Sequence, residues 1–187
     1  LPLDAAKNCK DKANSKFAPV FTNYATDYFS RSSWDGSELK TMQATAQSML
    51  QSMGVTSDYA GQLKTIENNV TDYLAAKAIV ANASKCTSVS GVSKIKSNAK
   101  AYLKAPLTNN TQLTAELNNA GETAKKSVLN YIIRLCNNAN SLNSADKAMK
   151  LAVEYVQTFD EEPYALVEAF DYAKYIYNSY NNNYYYY

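Results

Sequence analysis

The 187-residue chain contains no histidine, only five glycines, four prolines and three cysteines, and its formal net charge is +2. The lack of histidine removes the most common general base and zinc ligand, which excludes Ser-His-Asp and Cys-His catalysis. No phosphate-binding, G-x-S-x-G or dinucleotide-binding motif occurs. A net charge this small gives no field typical of nucleic-acid binding. We therefore expect no enzymatic activity, no cofactor, no metal site and no nucleic-acid partner.

Long hydrophobic runs are also missing, since no apolar stretch approaches the roughly 20 residues that a membrane-spanning helix needs. The chain has no initiator methionine and no signal-type segment, so we expect a mature secreted, extracellular protein whose signal peptide has been removed. Three Asn-x-Ser/Thr sequons fit this location, although sequons also arise by chance in a chain so rich in Asn, Ser and Thr. The candidate glycosylation sites are Asn69, Asn82 and Asn109.

The apolar residues that are present predict helices, because they recur at spacings of three and four. No comparable stretch alternates with the period of two that a half-buried strand requires. Capping residues and prolines between these series predict six or seven helices, at about 4–31, 37–53, 57–85, 91–104, 111–140, 145–160 and 163–180. The longest series consists of Leu113, Leu117, Ala120, Ala124, Val128, Tyr131 and Leu135.

Short connections between long amphipathic helices favour antiparallel neighbours. We therefore expect an all-α, single-domain, antiparallel up-and-down bundle over residues 1–177, followed by a Tyr/Asn-rich C-terminal tail at 178–187. Pro19 lies inside the first apolar series and predicts a kink or a break near Phe17 and Ala18.

Three cysteines cannot all pair within one chain. In an antiparallel bundle, Cys86 at the end of the third helix and Cys136 near the end of the long fifth helix are expected at the same end. Cys9, near the start of the first helix, is then at the opposite end. Because a disulfide needs Cα atoms within about 7 Å, we predict a Cys86–Cys136 disulfide and an odd thiol at Cys9.

The C-terminal region is unusually rich in tyrosine, with ten of the sixteen tyrosines between Tyr155 and Tyr187. Tyrosine combines an apolar ring with a polar tip and suits contacts between chains, although a frayed terminus is the simpler alternative. We predict a secreted, non-enzymatic structural or interaction protein that forms a homo-oligomer or filament or attaches to an extracellular surface. The residues expected to make these contacts are Tyr175, Tyr180, Tyr184, Tyr185, Tyr186 and Tyr187.

A second hypothesis is an extracellular carrier of lipid or another small hydrophobic ligand within the bundle. Methionine adapts to irregular apolar partners, and a Met/aromatic interior is a suitable lining for an apolar cavity. Ordinary core packing explains the same pattern, so both interpretations stay open at this point. The residues expected to line a ligand are Phe17, Phe21, Tyr24, Tyr28, Met42, Met49 and Met53.

Overall fold

The apolar series form helices throughout the part of the chain that the computed structural model describes, residues 2–53 and 58–182, with side chains over 4–52 and 58–181. This part contains seven α-helices and one short 3-10 helix, and no strand. The predicted all-α helical bundle with seven helices is therefore confirmed. In chain order the helices are α1 (Pro2–Ser30), α2 (Gly36–Met53), α3 (Ala60–Ala83), α4 (Val89–Ala101), the 3-10 helix Leu107–Asn109, α5 (Thr111–Asn137), α6 (Leu142–Phe159) and α7 (Tyr164–Asn182).

The chain divides into two compact units. The first comprises Leu1–Ala78 and Lys100–Asn118, and the second comprises Ile79–Ala99 and Asn119–Tyr187. Helices α3 and α5 therefore each contribute residues to both units. The division into a bundle over 1–177 and a tail over 178–187 stays a prediction, and helix α7 continues to Asn182.

The first unit is built on the hairpin of α1 and α2. The short connection between them ends at Asp35, whose carboxylate accepts the amides of Ser37 and Glu38 at 2.9 Å and so caps α2. Trp34 in this connection packs edge-to-face on Phe29, with ring centres 5.2 Å apart. The buried side chains of this unit include Phe21, Tyr28, Leu39, Met42, Met49, Leu63 and Val70.

Proline inside α1 does not end the helix. Helix α1 runs from Pro2 to Ser30 through Pro19, so a break near Phe17 and Ala18 does not occur, and the alternative of a kink there stays a prediction. Ala18 is fully buried and Phe21 is almost fully buried. Burial of this face stabilises the helix by more than the hydrogen bond that proline cannot donate, because tertiary packing contributes most of the stability of helices in proteins.

The second unit contains the hairpin of α6 and α7. Ser141 and Ser144 form a reciprocal capping box at the start of α6, and Asp160 ends the helix in the left-handed conformation at φ 53°. The facing sides of this hairpin carry small buried residues, which allow two helices to approach closely. These residues are Ala145, Ala148 and Ala152 of α6 and Ala169 and Ala173 of α7.

The apolar series of α5 is buried as predicted only up to Val128. Beyond it, Ile132 and Cys136 are buried, whereas the predicted Tyr131 and Leu135 are half-exposed. A step of four residues after Val128 suits the period of 3.6 as well as a step of three does, so the neighbouring helices select the face.

The predicted Cys86–Cys136 disulfide is wrong, since both residues are buried free thiols. The Ser127 hydroxyl of α5 donates to the carbonyl oxygen of Ser84, which places the end of α3 beside the middle of α5. Cys136 lies nine residues beyond Ser127, or about 13 Å along the helix axis. Because α5 extends well past the level of Ser84, the two cysteines do not meet. Cys9 is a free, exposed thiol.

Candidate interaction surface

Helix α7 presents tyrosine on the side opposite its buried face. Leu166 and Ala173 are buried, whereas 76% of Tyr164 and 68% of Tyr175 is exposed. Eleven residues separate these two tyrosines, and at about 100° per residue they lie within about 20° of each other around the helix. Val167 and Tyr172 are exposed on the flanks of this line. We call Tyr164, Val167, Tyr172 and Tyr175 the α7 outer face.

Tyrosine side chains in other helices of this protein are not always exposed. Tyr28 is only 2% exposed and Tyr155 only 1% exposed. Burial raises the pKa of both hydroxyls. The Tyr155 ring lies 4.8 Å from that of Phe159, inside the second unit. Tyr28 of α1 and Tyr155 of α6 therefore belong to the core, whereas the tyrosines of the α7 outer face lie outside it.

Two carboxylates, Glu168 and Asp171, are exposed on the same side of α7. Hydrogen bonding to Glu168 raises the pKa of the Tyr164 hydroxyl above its ordinary value of 10.0, so this hydroxyl is neutral at physiological pH. The α7 outer face thus offers apolar rings and hydroxyl groups, and acidic groups lie beside it. This chemistry suits adhesion to another surface.

The predicted interaction residues fall partly on α7. Tyr175 and Tyr180 belong to this helix, and 47% of Tyr180 is exposed. Tyr184, Tyr185, Tyr186 and Tyr187 lie outside the described residues. Tyr164, the most exposed large apolar side chain among the residues that the structure describes, is missing from the prediction. Its position directly after Pro163 at the start of α7, on the same helical face as Tyr175, is the sequence signal that could have identified it.

The residues predicted to line a ligand occupy two environments in the first unit. Phe21, Tyr28, Met42 and Met49 are buried in the core, whereas Phe17 and Tyr24 are exposed on α1. The side chain of Met53 lies outside the described residues. Phe17 and Met49 border an open groove of about 560 Å³, whose other walls are mainly polar. The carrier function stays a prediction.

The three sequons all lie in helical segments. Asn69 and Asn82 belong to α3, and Asn109 belongs to the 3-10 helix. Asn82 is exposed, while Asn69 is half-buried. The amide nitrogen of Asn109, the atom that would carry a glycan, donates to the carbonyl oxygen of Phe29 at 2.9 Å. Asn109 is exposed as Asn82 is, but its amide nitrogen is engaged in this hydrogen bond, and glycosylation stays a prediction.

Within residues 2–53 and 58–182, no helix is both long enough and apolar enough to cross a membrane. No group of three or more Cys, Asp or Glu side chains there is arranged to hold a metal ion. Comparison of the chain with family models, curated proteins and solved structures found no match.

Proposed function

We propose that this chain is a secreted, non-enzymatic interaction protein that associates with copies of itself through α7 and the Tyr/Asn-rich C-terminus. A related form of this function is attachment to an extracellular surface through the same residues. The observation that carries the proposal is the α7 outer face, where Tyr164 and Tyr175 are mostly exposed and lie on one line.

The free energy of burying apolar area favours contact of the α7 outer face with another surface over its exposure to water. Each exposed tyrosine ring that becomes buried contributes at about 25 cal/mol per Å² of apolar area removed from water. The hydroxyl at the tip of the ring can hydrogen-bond at the rim of the contact. The four consecutive tyrosines at the end of the sequence extend the same chemistry beyond α7. Sequons at Asn69 and Asn82 agree with an extracellular location.

Sedimentation velocity over a concentration series tests the proposal. We expect the wild-type chain to associate reversibly, and deletion of residues 178–187 to shift association to higher concentration. The double variant Y164S/Y175S, which keeps the tail, should weaken association at least tenfold. Y24S, which changes an exposed tyrosine of α1, is the matched control and should leave association unchanged.

Each outcome is decisive for one part of the proposal. A wild-type chain that stays monomeric at all concentrations and does not adsorb to a silica surface in a microbalance would refute both forms of the function. Association that Y24S weakens as much as Y164S/Y175S would place the contact elsewhere. Native mass spectrometry on the same samples addresses the carrier hypothesis, since a co-purifying apolar molecule would favour it.

A further inference from the structure

An open groove in the second unit is lined by cations and polar side chains. Its volume is about 520 Å³, within the range typical of ligand sites. Three of its lining residues are positively charged, and no Asp or Glu is among them. The residues that line it are Ser84, Lys85 and Thr87 after α3 and Thr123, Lys126, Ser127, Asn130, Tyr131 and Arg134 on α5. We call this the α5 groove.

No carboxylate of the described residues neutralises the three cations of the α5 groove. Other described lysines, such as Lys94 and Lys147, are also unpaired, whereas six cations of the chain are paired. Lys64, Lys77, Lys104, Lys125, Lys150 and Arg31 each form an ion pair. Within the described part of the chain, Lys85, Lys126 and Arg134 form none. The contrast is sharpest at neighbouring positions, since Lys125 pairs with Glu161 at 2.6 Å while Lys126 faces the groove. The groove thus holds three unneutralised positive charges in a chain whose net charge is only +2.

Helical spacing explains why these side chains meet. Lys126, Asn130 and Arg134 follow one another at four-residue steps and lie on one face of α5. Lys126 and Arg134 are therefore about 12 Å apart along the helix axis. Such a separation suits a ligand with two or more anionic groups rather than a single small ion.

The uncharged residues of the α5 groove supply hydrogen-bond donors and one aromatic ring. Among the described residues, nothing hydrogen-bonds to the hydroxyls of Thr87 and Thr123 or to the side-chain amide of Asn130. The half-exposed Tyr131 ring also lines the groove, with the Arg134 guanidinium carbon 5.6 Å from its centre. Free donors recognise hydroxyl and ester oxygens, and an accessible ring supports the apolar face of a sugar.

We infer that the α5 groove binds a sugar that carries two or more oxyanion esters, either sulfate or phosphate, about 10 Å apart. Lys85, Lys126 and Arg134 neutralise the esters, and Tyr131 contacts the apolar face of the sugar. This site is separate in sequence from the α7 outer face, and binding there does not depend on self-association. A charge-assisted hydrogen bond contributes enough that removing two cations should weaken binding about tenfold or more.

Isothermal titration calorimetry of the full chain tests the inference with a sulfated tetrasaccharide, its desulfated form and a hexose bisphosphate. Preference for the sulfated tetrasaccharide or for the bisphosphate identifies the ester, and either result supports the site. K126Q/R134Q should weaken binding about tenfold or more, and Y131L should weaken it while keeping every charge.

The matched control is K94Q/K147Q, which removes two exposed, unpaired lysines of the second unit outside the groove and should change affinity less than threefold. Circular dichroism verifies that all variants keep their helical content. Equal losses in the two double variants, equal binding of the desulfated sugar, or equal binding of a short oligodeoxynucleotide would each overturn the inference. The absence of wild-type binding to either esterified sugar would overturn it as well.

Discussion

The Ser127 hydroxyl lies 3.0 Å from the carbonyl oxygen of Ser84, to which it donates a hydrogen bond. This bond fixes the position along α5 beside which α3 ends. It separates Cys86 from Cys136 and, in the same region, places Lys85 and Thr87 across from Lys126 in the α5 groove.

The three thiols should differ widely in reactivity. Burial raises the pKa of Cys136 from 9.0 to about 11, so its thiolate fraction at pH 8 is about a hundredfold lower than that of an ordinary thiol. Cys86 is covered by the first turn of α4, because a Cβ added at Gly91 would lie 2.9 Å from its sulfur. With a maleimide at pH 8, we expect one fast-reacting thiol per chain, at Cys9, and two that react only after unfolding.

Intact-mass analysis provides the control for this labelling experiment. Unfolding in the absence of reductant should release all three thiols. A mass two hydrogens lower than that of the fully reduced chain, with Cys86 and Cys136 in one bridged peptide, would contradict the structure.

Truncation of a core side chain should strongly destabilise the first unit. Leu39 is fully buried between the helices of this unit, and a buried Leu→Ala change costs about 2–5 kcal/mol through lost burial and the cavity it leaves. L39A should therefore lower the free energy of unfolding in urea by that amount. K40A, at the exposed neighbouring position, should change it by less than about 0.5 kcal/mol. Similar values for the two variants would show that α2 does not pack as described.

Loss of the cap of α6 should lower the free energy of unfolding by less than the truncation of Leu39 does. The Ser141 hydroxyl accepts the amide of Ser144, and the Ser144 hydroxyl accepts the amide of Ser141. S141A leaves the first-turn amide without this acceptor, so we expect a loss of about 1 kcal/mol in urea unfolding. S97A, an exposed change inside α4, should be neutral or slightly stabilising because alanine favours the helix interior. A neutral S141A would show that water replaces the cap.

The stability that the cap of α2 contributes should decrease at low pH. Hydrogen bonds from the Ser37 hydroxyl and then from the Glu38 and Ser37 amides lower the pKa of Asp35 below 3.8. As the pH falls, the unfolded chain binds this proton first, so the stability that the carboxylate contributes is present above pH 4 and is lost below its lowered pKa. D35N keeps a capping oxygen but does not titrate. Between pH 5 and pH 3, wild type should lose more unfolding free energy than D35N, as measured by urea titrations at each pH. Parallel pH profiles for the two proteins would show that this carboxylate is not held by the cap.

The sequence by itself determined the helices. Apolar residues at spacings of three and four, with polar caps and prolines between them, are sufficient to predict six or seven helices, because helix formation depends on local periodicity. The buried face of α5 up to Val128 follows from the same local pattern. The accumulation of tyrosine toward the C-terminus is likewise visible in the sequence, and Tyr175 and Tyr180 lie on the last helix.

Only the tertiary structure decided how helices of unequal length align. The separation of Cys86 from Cys136 and the meeting of Lys85 with Arg134 in one groove depend on contacts between residues more than 40 positions apart. The burial of Ile132 rather than Tyr131 is likewise not fixed by the local sequence pattern. Helical periodicity permits several faces and several alignments with nearly equal energy. Packing against the neighbouring helix removes this ambiguity, because only one alignment fills the core without voids.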